Sequence, residues 1–280
     1  MKKIGFIDYY LSEWHANNYP AWIRAANAVL GTDYQVAYAW GELETSPRDG
    51  ITTAKWCETF GATPCATIEE VCENSDVLLI LAPSDPDKHL PYAKIALPYG
   101  KPTYIDKTFA PDLATAKEIF ALAEQHGTPF FSTSALRYAT ELGDLAGSRQ
   151  LAVTGSGRTA DEYLVHQAEM LVKLLGEGAS KARAMQTGLL TVFEIGYADD
   201  RRATMTFSPN ALPFTLLGEG DEKPRWRQIK SDFFALLLQD ILRFYETGKV
   251  SFDIAETLEV MRVREGALKA RNTPEEWIAL

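Results

Sequence analysis

Lys107 and His166 carry most of the chemistry that this sequence offers. Lys107 follows Tyr104-Ile105-Asp106 directly, at the end of a short apolar run that begins after Gly100-Lys101-Pro102. Open α/β sheets bind their ligands outside the carboxyl ends of the strands. A lysine delivered there beside Asp106 can hold and protonate a substrate oxygen. His166 lies in Asp161-Glu162-Tyr163-Leu164-Val165-His166-Gln167-Ala168-Glu169, near the start of a helix whose packed face is Met170, Leu171, Leu174 and Leu175. Glu162 stands four residues before the histidine and Glu169 three after, so on a helix either can face it and set its tautomer or charge. A lone helical histidine is usually structural and most lysines are simply solvated, so a catalytic reading requires the two groups to converge on one pocket.

The elements that must bring them there are legible in the patterning. To about residue 135, apolar runs at Lys3–Ile7, Tyr34–Ala39, Ala62–Ala66, Val77–Ala82, Thr103–Ile105 and Pro129–Ser132 alternate with amphipathic stretches, which predicts a Rossmann-like, doubly wound parallel sheet. Thr67-Ile68-Glu69-Glu70 is a capping box, and the helix Leu113–His126 ends on Gly127. From residue 136 the rhythm changes to an α+β domain with a mainly antiparallel open sheet. It comprises Leu151–Thr154, a helix over Asp161–Gly176, a hairpin of Leu189–Tyr197 and Ala203–Pro209 around Asp199-Asp200, and closing helices over Asp232–Glu246 and Ile254–Ala270 that can pack back on the first domain.

Composition removes several classes of function. A net charge of -10 over 280 residues opposes any extended phosphate-binding surface, so nucleic acid is not an expected partner. No segment has the length and apolarity of a membrane span and the amino terminus enters a strand at once, so a cytoplasmic protein is expected. Cys57, Cys65 and Cys72 form an odd set without zinc spacing, which reads as reduced packing thiols and no metal site.

The turn after the first strand would carry Gly-x-Gly-x-x-Gly if a dinucleotide pyrophosphate sat on the next helix. Aligned on Ile4–Ile7, those three places hold Asp8, Tyr10 and Glu13. Two carboxylates therefore stand where phosphate would go, among the polar groups Ser12, Trp14, His15, Asn17 and Asn18, before Pro20 as a first-turn proline. His15 reads equally well as a cap and as a ligand group. The second strand runs into Ala39-Trp40-Gly41-Glu42 with no acid directly at its end. Glu42 reaches the place that takes ribose hydroxyls in NAD-binding sheets with a small register shift, although a solvated loop glutamate is the commoner reading, and no arginine stands there until Arg48, which leaves NAD against NADP open.

The order of Ala82-Pro83, His89, Gly100-Lys101-Pro102, Asp106-Lys107-Thr108, Arg137, Tyr163-x-x-His166-x-x-Glu169 and Gly176-x-Gly178 resembles the Gfo/Idh/MocA oxidoreductases over nearly the whole chain. The resemblance implies an NAD(P)-binding Rossmann domain and a second domain whose open sheet forms homodimers or homotetramers. It implies that Lys107, in the place of the lysine of a Glu-Lys-Pro motif, acts with His166 and Glu162 on the proton of a sugar, cyclitol or related polyol while hydride passes to or from NAD or NADP. The dinucleotide would then lie along Ser12, Glu13, Trp14, His15, Trp40, Ala82, Pro83, His89 and Asp106, and the substrate on Arg137, Tyr163 and Glu169. Against this dehydrogenase stands a binding or regulatory protein that kept the fold and lost the dinucleotide. A purely structural subunit leaves the strand-edge lysine and the Tyr-x-x-His pattern without a purpose.

Overall fold

The computed structural model describes residues 1–219 and 223–280. The chain starts with β1 (Lys2–Asp8), α1 (Trp14–Leu30), β2 (Tyr34–Gly41), α2 (Thr53–Phe60), β3 (Thr63–Pro64), α3 (Ile68–Asn74) and β4 (Val77–Ile80). It continues through α4 (His89–Ala96), β5 (Thr103–Ile105), α5 (Leu113–His126), β6 (Phe130–Phe131), β7 (Gln150–Ser156) and α6 (Ala160–Leu175). The remainder is β8 (Ala179–Thr187), β9 (Leu190–Tyr197), β10 (Arg202–Ser208), β11 (Thr215–Gly218), β12 (Arg225–Gln228), α7 (Phe233–Thr247), α8 (Ala255–Ala270) and β13 (Ile278–Ala279).

Two compact units result, residues 1–133 with 234–254 and residues 134–233 with 255–280. In the first, six parallel strands run in the order β3-β2-β1-β4-β5-β6. The order reverses at β1 and β4, which opens a crevice beyond their carboxyl ends. All four residues of β4 are buried, as a central strand covered on both faces requires. Gly5 is needed where α3 crosses β1, because a Cβ there would fall 2.5 Å from Ser75 Oγ and from Val71 Cγ1. The helix α7 belongs to this unit through its own contacts: Tyr245 donates to the Leu78 carbonyl at 2.7 Å, and Phe244 meets Phe131 edge to face.

The expected start of α1 at Pro20 is corrected to Trp14, with the proline inside the helix. The cause is Glu13, an N-cap whose carboxylate accepts from the first-turn amides and starts the helix six residues earlier. The helix over Leu113–His126 and its left-handed Gly127 stop are as expected, and so is the Thr67 cap, whose Oγ accepts from Glu70 N at 3.2 Å.

The second unit is a seven-stranded sheet in the order β12-β11-β7-β10-β9-β8-β13, antiparallel except at β7 with β10. Along β7 and β10, buried and part-exposed residues alternate; Val153 of β7, Met205 of β10 and Phe193 and Ile195 of β9 belong to a core shared with Leu164, Leu171, Val260 and Val263 of α6 and α8. Only one face of the sheet is therefore packed by these helices. The hairpin of β9 and β10 lies where the sequence put it, whereas β8, β11, β12 and β13 were not anticipated. No helix among the described residues is long and apolar enough to cross a membrane.

Candidate active site

In the first unit the strand ends converge on three carboxyl groups. Asp8, the last residue of β1, is 1% exposed and accepts from Ala82 N at 2.9 Å and from Tyr9 N at 2.7 Å through Oδ1. Its Oδ2 has no partner. Burial, and then the charge of Glu13, push the Asp8 carboxyl well above the usual carboxylate range. Asp106, just after β5, receives the Tyr19 hydroxyl on Oδ1 at 3.4 Å and has the Tyr104 hydroxyl at the same distance, although that hydroxyl donates more closely to the Thr133 carbonyl at 2.9 Å; its buried Oδ2 lacks a hydrogen bond. His15 stands between two of the acids, its Nδ1 3.4 Å from Glu13 Oε2 and its Nε2 3.9 Å from Asp106 Oδ2.

Glu13 itself occupies the amino end of α1. Its Oε2 accepts from His15 N at 2.8 Å and its Oε1 accepts from Ala16 N in a short contact. Ser12 is committed elsewhere, with Oγ on Asp49 Oδ2 at 2.8 Å. Trp14 is 45% exposed and meets Trp22 and Phe234 edge to face, while Trp22 and Phe234 stack at 4.9 Å.

Lys107 leaves β5 half-buried, and its Nζ donates to the Pro83 carbonyl at 3.0 Å. The peptide bond that follows it is cis. Ala82 is a non-glycine residue in the left-handed region at φ 66°, a conformation that costs about 1 kcal/mol or more and persists only when neighbours fix it. Asp8 holds its amide from one side and Asp85 N bonds its carbonyl from the other. His89 is fully buried, with its two ring nitrogens against the carbonyls of Phe109 and Leu81. It braces the ends of β4 and β5 from behind, and burial lowers its basicity.

Beside the end of β2 lies a cavity of ≈ 330 Å³ lined by residues that include Trp40, Glu42, Thr67 and Tyr92. Trp40 and Tyr92 meet edge to face at 5.5 Å. Glu42 accepts from Lys88 Nζ at 2.5 Å and from Tyr92 OH at 2.7 Å. Partial burial opposes its charge, but these two donors prevail and hold its carboxyl below the ordinary range.

Replacing Asp8 by Asn keeps the acceptor for Ala82 N and Tyr9 N and removes a group that must either stay protonated or be buried as a charge, so the variant is expected to gain on wild type progressively as pH rises. The folded pKa is raised above the ordinary 3.8, so the unfolded chain releases this proton first and wild type loses stability as pH rises from about 3.8 through the folded value. Denaturation midpoints of variant and wild type should coincide most closely near that lower limit and diverge as pH rises. A gap that does not grow with pH would remove the assignment.

In the second unit His166 sits on α6, and its Nδ1 is 2.7 Å from Ser134 Oγ. The imidazole lies among Tyr163 at 5.7 Å and Phe214 at 5.9 Å between ring centroids. Gly157 makes room for that tyrosine, since a Cβ there would fall 1.9 Å from Tyr163 Cγ. Glu162 forms a two-point contact with Arg158, at 2.8 and 3.0 Å. Arg137 and Glu169, expected on the substrate, bond each other while buried: Arg137 Nε donates to Glu169 Oε1 and its Nη2 to Glu256 Oε2 at 2.7 Å. Glu169 Oε2 also accepts Ser134 N at 3.1 Å, so the ion pair fixes the residue that holds His166. Sequence reasoning missed Ser134, because nothing in the spacing of residues 134 and 166 announces their contact. It also gave Glu256 no role.

Among the described residues, no group of three or more His, Cys, Asp or Glu side chains is arranged to hold a metal ion, and Cys57, Cys65 and Cys72 are buried free thiols. No protein-family model matches the chain. A segment is 44% identical over 66 residues to the uncharacterized oxidoreductase YhhX of Escherichia coli K12, covering 22% of this chain and only 19% of that protein. Solved structures match throughout. GenD2 from gentamicin A biosynthesis, in complex with NAD, superposes with a TM-score of 0.79 at 14% identity, over 100% of this chain and 97% of that one. A myo-inositol dehydrogenase from Corynebacterium glutamicum superposes with a TM-score of 0.78 at 10% identity, over 100% and 99% of the two chains.

Proposed function

We propose that this chain, which has the fold of the Gfo/Idh/MocA dehydrogenases, is a nicotinamide-dependent oxidoreductase acting on a sugar, cyclitol or related polyol. The observation that carries the reading is Lys107, half-buried at the edge of β5 with its ammonium on the Pro83 carbonyl, beside the crevice beyond β1 and β4. The similarity to GenD2 and to the inositol dehydrogenase supports the cofactor and the substrate class.

The residues can accept such a dinucleotide in two places. Glu42, in its cavity with Trp40 and Tyr92, offers a charged acceptor for a ribose diol, and the amides of His15 and Ala16 hold an oxyanion, for which the Glu13 carboxylate stands in. Bound there, the nicotinamide ring would give or take a hydride. The chain's own groups manage the proton. Lys107 Nζ can turn from Pro83 to a substrate oxygen and donate to it as negative charge develops. Ser134 Oγ can donate to His166 Nδ1, leaving the proton on Nε2, or accept from Nδ1–H, leaving Nε2 a base. A reversible exchange between alcohol and carbonyl needs both forms.

Calorimetric titration with NADH and NADPH tests this reading. Saturable binding is expected, and the ratio of the two affinities reads whether Glu42, which repels the extra phosphate of NADPH, or its partner Lys88, which attracts it, prevails. Oxidation of a polyol by added NAD+, with hydride passing to the oxidised ring and followed by the rise in reduced-nicotinamide absorbance, is expected with the same protein. Absence of binding by either dinucleotide would favour the second reading, a non-catalytic small-molecule-binding protein, to which the occupation of the α1 amides by Glu13 lends weight.

A further inference from the structure

The place on α1 that a pyrophosphate needs is already taken by a side chain of the same polypeptide. The carboxylate of Glu13 is 5% exposed and holds the amides of His15 and Ala16, one oxygen on each. In a sheet of this order, the helix after the first strand is the one whose free first-turn amides receive the diphosphate. A second observation at the same spot concerns Asp8. It is buried, its Oδ2 has no partner, and the charge of Glu13 acts on it. An incoming diphosphate would thus compete with one carboxylate for its donors and face another whose solvation is already lost.

We propose that Glu13 is a tethered competitor of the dinucleotide, so that diphosphate binds only when this side chain leaves the amides of His15 and Ala16. The inference rests on the nicotinamide reading above, and it adds a residue that sets how tightly the cofactor is held. A group one residue ahead of the helix competes at an effective concentration in the millimolar range or above, set by its short tether. A ligand that must displace it loses affinity in proportion. The lost glycines and the gained carboxylate then have one consequence: weak, readily exchanged cofactor. Adenosine, which brings no phosphate, is indifferent to the side chain.

The test is calorimetry on the full chain with ADP-ribose, which carries the diphosphate without the reacting ring, alongside NADH and adenosine. Glu13→Ser keeps a neutral N-cap that preserves the helix, and Glu13→Asp keeps both cap and charge. Equal thermal midpoints of the variants verify that the fold is retained. Glu13→Ser is expected to bind ADP-ribose and NADH about ten- to a hundredfold tighter than wild type, with Glu13→Asp close to wild type and adenosine unchanged. Equal, measurable affinity of wild type and Glu13→Ser would overturn the competitor and leave the nicotinamide reading standing. No dinucleotide binding by any of the three proteins would overturn both. Tight binding by Glu13→Ser alone would uphold the competitor and overturn cofactor use by the natural chain.

Discussion

Lys107→Ala is expected to lower turnover by about two to four orders of magnitude, with NADH affinity changed no more than a few-fold. The loss is this large because a positioned acid acts on charge that develops in the transition state, whereas the same ammonium adds little to ground-state binding. One structural side effect must be separated. Lys107 also ties down the Pro83 carbonyl next to Ala82, and a hydrogen bond from a charged donor contributes about 1.5–3 kcal/mol. Lys107→Arg retains charge and a donor for Pro83 but presents a planar fork, so it should recover the stability and little of the rate. His166→Gln supplies the complementary arm, with a lowered kcat expected if the imidazole handles a substrate proton. A kcat for Lys107→Ala equal to wild type would strip the lysine of its assigned role.

How much of this was visible beforehand depends on the physics that controls each element. The strand Thr103–Ile105 and the helix Leu113–His126 were readable to the residue, because a buried apolar run and a helix bounded by Asp112 and Gly127 are set by local chemistry. The start of α1 was not. Pro20 is a strong local signal for a first turn, yet Glu13 supplies the two acceptors that let the helix begin earlier, and a glutamate cap is outside the usual preference for shorter polar residues. Strand β8, Ala179-Ser180-Lys181-Ala182-Arg183-Ala184-Met185-Gln186-Thr187, has the composition of a helix and becomes a strand through eight paired positions along β9. The candidate site shows the same division. Lys107 could be found because strand geometry alone puts it at an edge, whereas Ser134, which meets His166, comes from a turn after β6, and Glu256, which meets Arg137, from α8, and only the tertiary fold assembles them.

That assembled network sets the second large expectation, for Arg137→Met. The guanidinium is buried between Glu169, itself 3% exposed, and Glu256, and the two carboxylates would remain when it goes. Removing one partner of a buried pair typically costs about 3–5 kcal/mol, since the remaining charge loses its main compensation. Glu256 is less affected, because its side chain is 23% exposed and can turn to solvent. Most of the loss therefore belongs to Glu169, and adding Glu169→Gln to Arg137→Met should restore more than half of it by neutralising the stranded charge while keeping an acceptor for Ser134 N. Denaturant midpoints of wild type, Arg137→Met and the double variant measure this directly. A loss below about 1 kcal/mol for the single variant would mean that the pair was no better than an apolar replacement, the outcome some buried ion pairs give. The His166 imidazole offers a readout that stability alone would not move. Ser134 is placed by Glu169, so freeing Glu169 should shift the ring's nitrogen resonances toward the tautomer mixture of a solvated histidine, and the double variant should bring them back.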